Sequence, residues 1–317
     1  MTNYIPLPFI KGQHIETLIP GLLRRVNYNS AEAIKINTHD GDFLELDLYR
    51  RSKEDIIILS HGLEGNSTRA YMKGMTRIFH KAGFTVLGWN YRGCGPNLNK
   101  TARLYHSGAT DDLSTVVNYT IDQGYKRIFL IGFSLGGNLT LKYVGEDSLS
   151  LPNEIKGAIA FSAPVNLSAS GKRLAESDNR IYTDRFLRKL KKKVRLKNSQ
   201  YPEAIKLEHL NSIHDLKTFD DHYTAPIHGF KDADDYYDKS SSNQFLKSIR
   251  IPTLLVNALN DPFLPSECYP YDEAKANDFF SFEAPEHGGH VGFMQLNRQG
   301  YYWSEERALS FVKETFE

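Results

Sequence analysis

The chain has 317 residues, 40% of them hydrophobic and 24% charged, with a formal net charge of +1. That length suits one large α/β domain with an insertion, and the near-neutral balance gives no global signal for nucleic acid or an acidic partner. Two cysteines, Cys94 and Cys268, make no disulfide framework and no metal spacing; no run approaches the ~18 apolar residues of a membrane helix, and the N-terminus has no signal-peptide stretch. The expectation is a cytoplasmic protein with no metal and no cofactor.

In chain order, strands are expected at 33–38 and 43–49, split by Asp40-Gly41 as an antiparallel hairpin. A strand at 56–60 precedes a helix near 70–82. A strand at 85–90 precedes a helix near 112–123. The run 127–131 then leads through Gly132-Phe-Ser134-Leu-Gly136 into a helix near 139–144. Strands follow at 157–161, 252–258 and 278–283, with helices near 267–276 and 303–316. The later strands are continuous apolar runs, as parallel strands covered on both faces require. Eight strands alternating with helices, the first pair antiparallel, make an α/β-hydrolase-like plan: a mostly parallel sheet with helices on both faces.

From about 167 to 245 the alternation stops. A stretch this long reads as a helical cap inserted over the carboxyl edge of the sheet, within one domain spanning 1–317. Residues 184–197 carry eight basic side chains and one acid, with Phe186, Leu190 and Val194 at helical spacing. Such a helix can lie on an anionic membrane. The favoured reading is a cap helix with its apolar stripe on the core and its lysines in water. The seven acids of 215–238 could face it.

The Gly-x-Ser-x-Gly segment sits between a strand and a helix. A sharp turn there strains the serine and lifts its hydroxyl clear of the sheet, while the glycines make room. A serine hydroxyl needs a base, and the base needs an acid to fix its tautomer. The acid expected is Asp261, in the loop after the 252–258 strand, with Asp272 and Glu267 as alternatives. The base expected is His290, in Glu286-His-Gly-Gly-His290, with His287 as its neighbour. The oxyanion formed during acyl transfer needs two N–H donors. These are expected from Leu135, after the nucleophile, and from Leu63 in the His61-Gly62-Leu63-Glu64-Gly65 loop. His61 is read as orienting that loop. Arg92 is read as holding loops together, and Cys94 as a thiol without an obvious partner. Residues 106–112 are read as a helix N-cap.

Eight segments occur together in order. They are His61-Gly-Leu-Glu-Gly, Asn90-Tyr-Arg-Gly-Cys-Gly, His106-Ser-Gly, Gly132-Phe-Ser-Leu-Gly-Gly-Asn, Thr224-Ala-Pro-Ile-His-Gly-Phe, Asp235-Tyr-Tyr, Asn257-Ala-Leu-Asn-Asp-Pro-Phe and His287-Gly-Gly-His-Val-Gly-Phe. With Gly12-Gln-His-Ile-Glu-Thr17-Leu near the start, they resemble the YheT-like α/β-hydrolases of bacteria and their eukaryotic lipase-like relatives. The resemblance covers nearly the whole chain. It implies a carboxylic-ester hydrolase with the triad Ser134, Asp261 and His290. Eukaryotic members act on acylglycerols, phospholipids or medium-chain esters, and some transfer acyl groups to alcohols.

The function expected is therefore a serine esterase for small-molecule or lipid-like esters of apolar acyl chains. Acyl transfer to an alcohol is the alternative with the same residues. A non-catalytic binding protein on this fold is the alternative from another class.

Overall fold

In the computed structural model, which describes residues 4–316, the apolar runs form one eight-stranded sheet. The strands are β1 (Glu32–Asn37), β2 (Phe43–Tyr49), β3 (Asp55–Ser60), β4 (Thr85–Asn90), β5 (Arg127–Phe133), β6 (Ile155–Phe161), β7 (Thr253–Val256) and β8 (Phe280–Glu283). Their order is β1-β2-β4-β3-β5-β6-β7-β8. β2 runs antiparallel to both neighbours, and every other pairing is parallel.

The helices are α1 (Gln13–Leu23), α2 (Ala70–Lys81), α3 (Thr110–Asp122), α4 (Leu135–Glu146), α5 (Leu167–Ala175), α6 (Arg180–Gln200), α7 (Leu216–Phe219), α8 (Ala225–His228), α9 (Ala233–Ser240), α10 (Tyr271–Ala276) and α11 (Trp303–Glu314). No helix among the described residues is long and apolar enough to cross a membrane.

Side chains alternate across a strand, so each central strand feeds two cores. Ile56, Ile58 and Leu130 meet Leu113, Val116 and Leu139 of α3 and α4 on one face. Ile57, Leu59, Phe129 and Ile131 meet Met75, Phe79, Ala308 and Val312 of α2 and α11 on the other. This double burial is why the runs read as continuous rather than alternating.

Four elements differ from their expected form. The β7 strand ends at Val256, shorter than 252–258; beyond it the Asn257 side chain bonds the backbone of Ala163 and Cys268 while its N–H still donates to the Glu283 carbonyl. The helix expected at 267–276 is broken into a 3₁₀ turn (Ser266–Cys268) and α10. Pro270 lies between them, lacks an N–H and disfavours helical geometry in Tyr269. Helix α4 begins at Leu135 rather than 139, because Gly136 and Gly137 are helical residues chosen for close packing. Helix α1 has no counterpart among the sequence expectations; Pro20 and Gly21 inside it hide the helical pattern.

The basic stretch lies in α6, but its lysines are not simply in water. Lys193 and Lys197 are buried, and Lys197 Nζ donates to the Asn99 carbonyl at 2.6 Å. Lysine stems bury readily when the head finds acceptors. The segment 215–223 packs its apolar residues on this helix, but the acids of 215–238 make no ion pair with it among the described residues. Among the described residues their ion pairs are with Lys217, Lys231 and Lys239.

Candidate active site

The Ser134 turn is built by exclusion of side chains. Ser134 has φ 54° and ψ −121°, a conformation that costs a non-glycine residue about 1–3 kcal/mol. A Cβ on Gly136 would lie 2.6 Å from the His61 carbonyl, and one on Gly132 would collide with the Gly136 carbonyl. A Cβ on Gly62 would sit 3.1 Å from the Ser134 Cβ, so the His61–Gly65 loop lies directly against the serine.

The strained serine meets the predicted base. His290 Nε2 is 2.8 Å from Ser134 Oγ. His290 Nδ1 is 2.8 Å from Asp261 Oδ2 and 3.1 Å from Oδ1. The Asp261 side chain is fully buried and that of His290 is 10% exposed, so this contact is shielded from bulk water. Asp261 Oδ1 also accepts the Phe263 N–H at 2.9 Å, and the Phe263 ring packs 4.1 Å from the imidazole. The alternative acids lie elsewhere: Asp272 pairs with Lys275, and Glu267 accepts from Ser266.

The histidine loop is clamped by α1. Buried Glu16 accepts the Gly288 N–H at 2.7 Å and the Asn260 amide at 3.0 Å, and lies 3.1 Å from His287 Nδ1. Thr17 Oγ1 accepts the His290 N–H at 2.9 Å. The glycines 288–289 allow this approach: Gly289 has φ 55°, and a Cβ there would lie 2.8 Å from Thr17 Oγ1. Sequence reasoning missed Glu16 and Thr17 as parts of the site. The only signal was their place in Gly12-Gln-His-Ile-Glu-Thr17.

In the His61–Gly65 loop, Gly62 N–H donates to Tyr71 Oη and Glu64 N–H to Tyr105 Oη. The Leu63 N–H between them, and the Leu135 N–H at the start of α4, have no acceptor among the described residues. His61 is fully buried. Its Nε2 accepts the Tyr91 N–H and its Nδ1 donates to the Gly62 carbonyl at 2.8 Å, so the ring is a neutral brace; burial lowers its pKa to about 3. Lys193 Nζ lies 2.6 Å from Glu64 Oε1 and 3.1 Å from Cys94 Sγ, so the thiol has a partner. Burial pushes that thiol up to about 11 against the pull of Lys193.

Arg92 holds loops together, away from the serine. Its buried guanidinium bonds Asp112 of α3 together with Asp40 and Asp42 of the β1–β2 turn. The segment 106–112 does start α3, with Ala109 at the N-cap, Asp111 and Asp112 in the first turn, and no side-chain cap. His106 packs against His228, Phe230 and Tyr236.

Two lobes open from Ser134 and His290, with Leu63, Phe186 and Phe263 at their junction. One is walled by Leu167, Leu174, Leu190, Leu216 and Phe219. At its wall, burial pushes the Asp220 carboxyl up to about 7 against hydrogen bonds from Thr224 and Tyr237, and burial keeps His106 neutral. The other lobe lies between α1, the start of α2 and α6.

A family model described as the alpha/beta hydrolase fold matches residues 55–295. The Putative esterase YheT of Escherichia coli (strain K12) is 32% identical over 92% of this chain and 87% of that protein. The Monoacylglycerol lipase of Saccharomyces cerevisiae is 29% identical over 96% of this chain and 67% of that one. Phospholipase ABHD3 of Bos taurus is 30% identical over 82% of this chain and 66% of that one. Among solved structures, the esterase Pf2001 of Pyrococcus furiosus superposes with a TM-score of 0.61 at 19% identity, covering 93% of this chain and 97% of that one, a likeness of fold.

Proposed function

This chain belongs to the α/β-hydrolase family, and we propose that it cleaves carboxylic esters through a Ser134 acyl-enzyme. The observation that carries the reading is the chain of contacts from Ser134 Oγ through His290 to Asp261, at 2.8 Å on each side of the imidazole. Ser134 Oγ attacks the acyl carbonyl carbon while His290 Nε2 takes the hydroxyl proton. Asp261 fixes the tautomer that leaves Nε2 free to accept and stabilises the imidazolium. The carbonyl oxygen, now an anion, is held by the N–H groups of Leu63 and Leu135, each worth about 2.7–4 kcal/mol in the transition state. As the ester bond breaks, His290 gives the proton to the departing alkoxide. Water then attacks the acyl carbon, His290 takes its proton, and the proton returns to Ser134 Oγ as the acid leaves.

The helical segment 167–245 serves as the cap, and its apolar lobe takes the acyl chain. Leucine and phenylalanine walls favour a chain at roughly 0.8 kcal/mol per buried methylene. Hydrolysis of p-nitrophenyl esters of increasing acyl length tests this. Rates rising from acetate to medium chains, and lost in Ser134→Ala, are expected. No turnover across the series, or turnover that survives in the variant, contradicts it.

A further inference from the structure

The leucine- and phenylalanine-walled lobe beside Ser134 has one polar wall. Asp220, Thr224, Tyr236, Tyr237, His106 and Ser107 line it there. They come from three segments that the catalytic contact does not use: the loop before α3, the turn between α7 and α8, and α9. That turn is π-helical, with the Ala225 N–H bonded to the Asp220 carbonyl five residues back, a form that often marks functional sites. The groups are tied into one ring. Asp220 accepts from Thr224 Oγ1 and, at 2.7 Å, from Tyr237 Oη. Tyr237 packs on Tyr236, whose Oη accepts the Ser107 N–H at 2.9 Å. Tyr236 meets the His106 ring edge-on. The His106 ring packs 4.5 Å from that of His228, which contacts the Thr224 carbonyl through Nδ1 at 2.7 Å.

Two members of this ring keep hydrogen-bonding capacity. The Asp220 oxygens receive one hydrogen bond each and form no ion pair among the described residues. A carboxylate has room for about four. His106 Nδ1 accepts the Gly108 N–H at 3.2 Å, which places the ring proton on Nε2. That Nε2–H has no acceptor among the described residues. A plain alkyl chain against this wall would strip water from both groups and return nothing. A hydroxyl serves both, giving its hydrogen to Asp220 and taking one from His106. A ketone could only accept, and an ammonium could only donate.

We infer that this wall is a subsite for a hydroxyl group on the acyl chain, so that the substrate is an ester of a hydroxylated medium-chain acid. This rests on the ester-hydrolase reading above and narrows its acyl class. The scissile carbonyl lies at Ser134, the methylenes pack on the leucines and phenylalanines, and the hydroxyl meets Asp220 and His106. A site built to hydrogen-bond a hydroxyl discriminates against the chain that lacks it, because its own polar groups are then left unpaired.

The test compares methyl decanoate with its hydroxylated isomers, the hydroxyl placed in turn at each carbon beyond those that lactonise. The readout is the ratio of kcat/KM for the best isomer to that for the plain ester, in wild type, Asp220→Leu, Asp220→Asn and His106→Phe. The wild-type ratio should exceed one and peak at one hydroxyl position. It should drop about tenfold or more in Asp220→Leu, the loss expected for a hydrogen bond to a charged group, while the plain ester is turned over faster. In His106→Phe, which removes a neutral donor, the drop should be smaller. Burial raises the Asp220 pKa to about 7 against Thr224 and Tyr237, and Asp221 and Asp215 add to the rise. Burial keeps His106, His228, Tyr236 and Tyr237 neutral in that window. The wild-type ratio should therefore rise with pH through it, as the carboxyl ionises and holds the hydroxyl more tightly, and Asp220→Asn should abolish the rise. Protonation of His290 slows both esters alike and cancels in the ratio. A wild-type ratio at or below one for every isomer overturns the subsite and leaves the hydrolase reading intact. A ratio that Asp220→Leu leaves unmoved while both rates fall together makes Asp220 a packing residue and also overturns it. No turnover of any ester, with no fluorophosphonate labelling of Ser134, removes the hydrolase reading and the subsite together.

Discussion

The serine and the histidine of the proposed catalytic contact are held by different physics. The Ser134 turn is local: glycines 132 and 136 and the adjacent His61–Gly65 loop leave the backbone no other path. The His290 loop is held from far away, by Glu16 and Thr17 of α1, more than 270 residues earlier. The first half is fixed by backbone packing within the sheet core. The second is fixed by a few side-chain hydrogen bonds at the edge of the fold. Damage to the first should therefore appear in folding stability, and damage to the second chiefly in turnover.

The largest effect falls where the two halves meet. His290→Ala should lower kcat by about 10⁴-fold or more on any ester, with the fold intact by circular dichroism. Next, Glu16→Ala should lower kcat by about 100-fold with a smaller change in KM, since a loop displaced by about 1 Å misaligns the imidazole. Glu16→Gln, which can still accept the Gly288 N–H, should recover part of the loss. An equal loss in both variants together with a collapsed melting temperature would make Glu16 a fold residue and erase the contrast.

On the other side, Gly136→Ala should destabilise by about 1–3 kcal/mol in denaturant unfolding, because its methyl meets the Ser60 and His61 carbonyls. A variant as stable as wild type would show that the turn is looser than its contacts imply.

A control lies in the apolar lobe, touching neither half. Asp220 has its pKa raised by burial from 3.8 to about 7. The folded form then keeps a proton that the unfolded chain releases, so this group makes stability fall as pH rises through that window and stay level above it. Asp220→Asn should flatten that part of the pH profile of thermal unfolding. An unchanged profile would mean the carboxyl is ionised in the fold.

The same local-versus-remote division decided what could be read from the sequence. The strands from 56 to 161 were legible because burial on both faces writes itself as continuous apolar runs. Ser134, Asp261 and His290 were legible as candidates because each lies just after a strand, where parallel sheets present their loops. Glu16 was not, because a carboxylate on a half-exposed helix gives no sign of a partner at Gly288. The role of α6 was missed for a related reason. Composition counts eight basic residues between 184 and 197 but does not say that Lys193 reaches Glu64 while Lys189 and Arg185 line the cleft. Charge is visible in a sequence; whether it is paired is a property of the fold.

Activation of Ser134 as a nucleophile by His290 is read out by reaction with a fluorophosphonate probe followed by peptide mass spectrometry. One label per chain is expected on the peptide containing Ser134, with labelling lost in Ser134→Ala and slowed in His290→Ala. An unlabelled wild type, or equal labelling of Ser134→Ala, would contradict it.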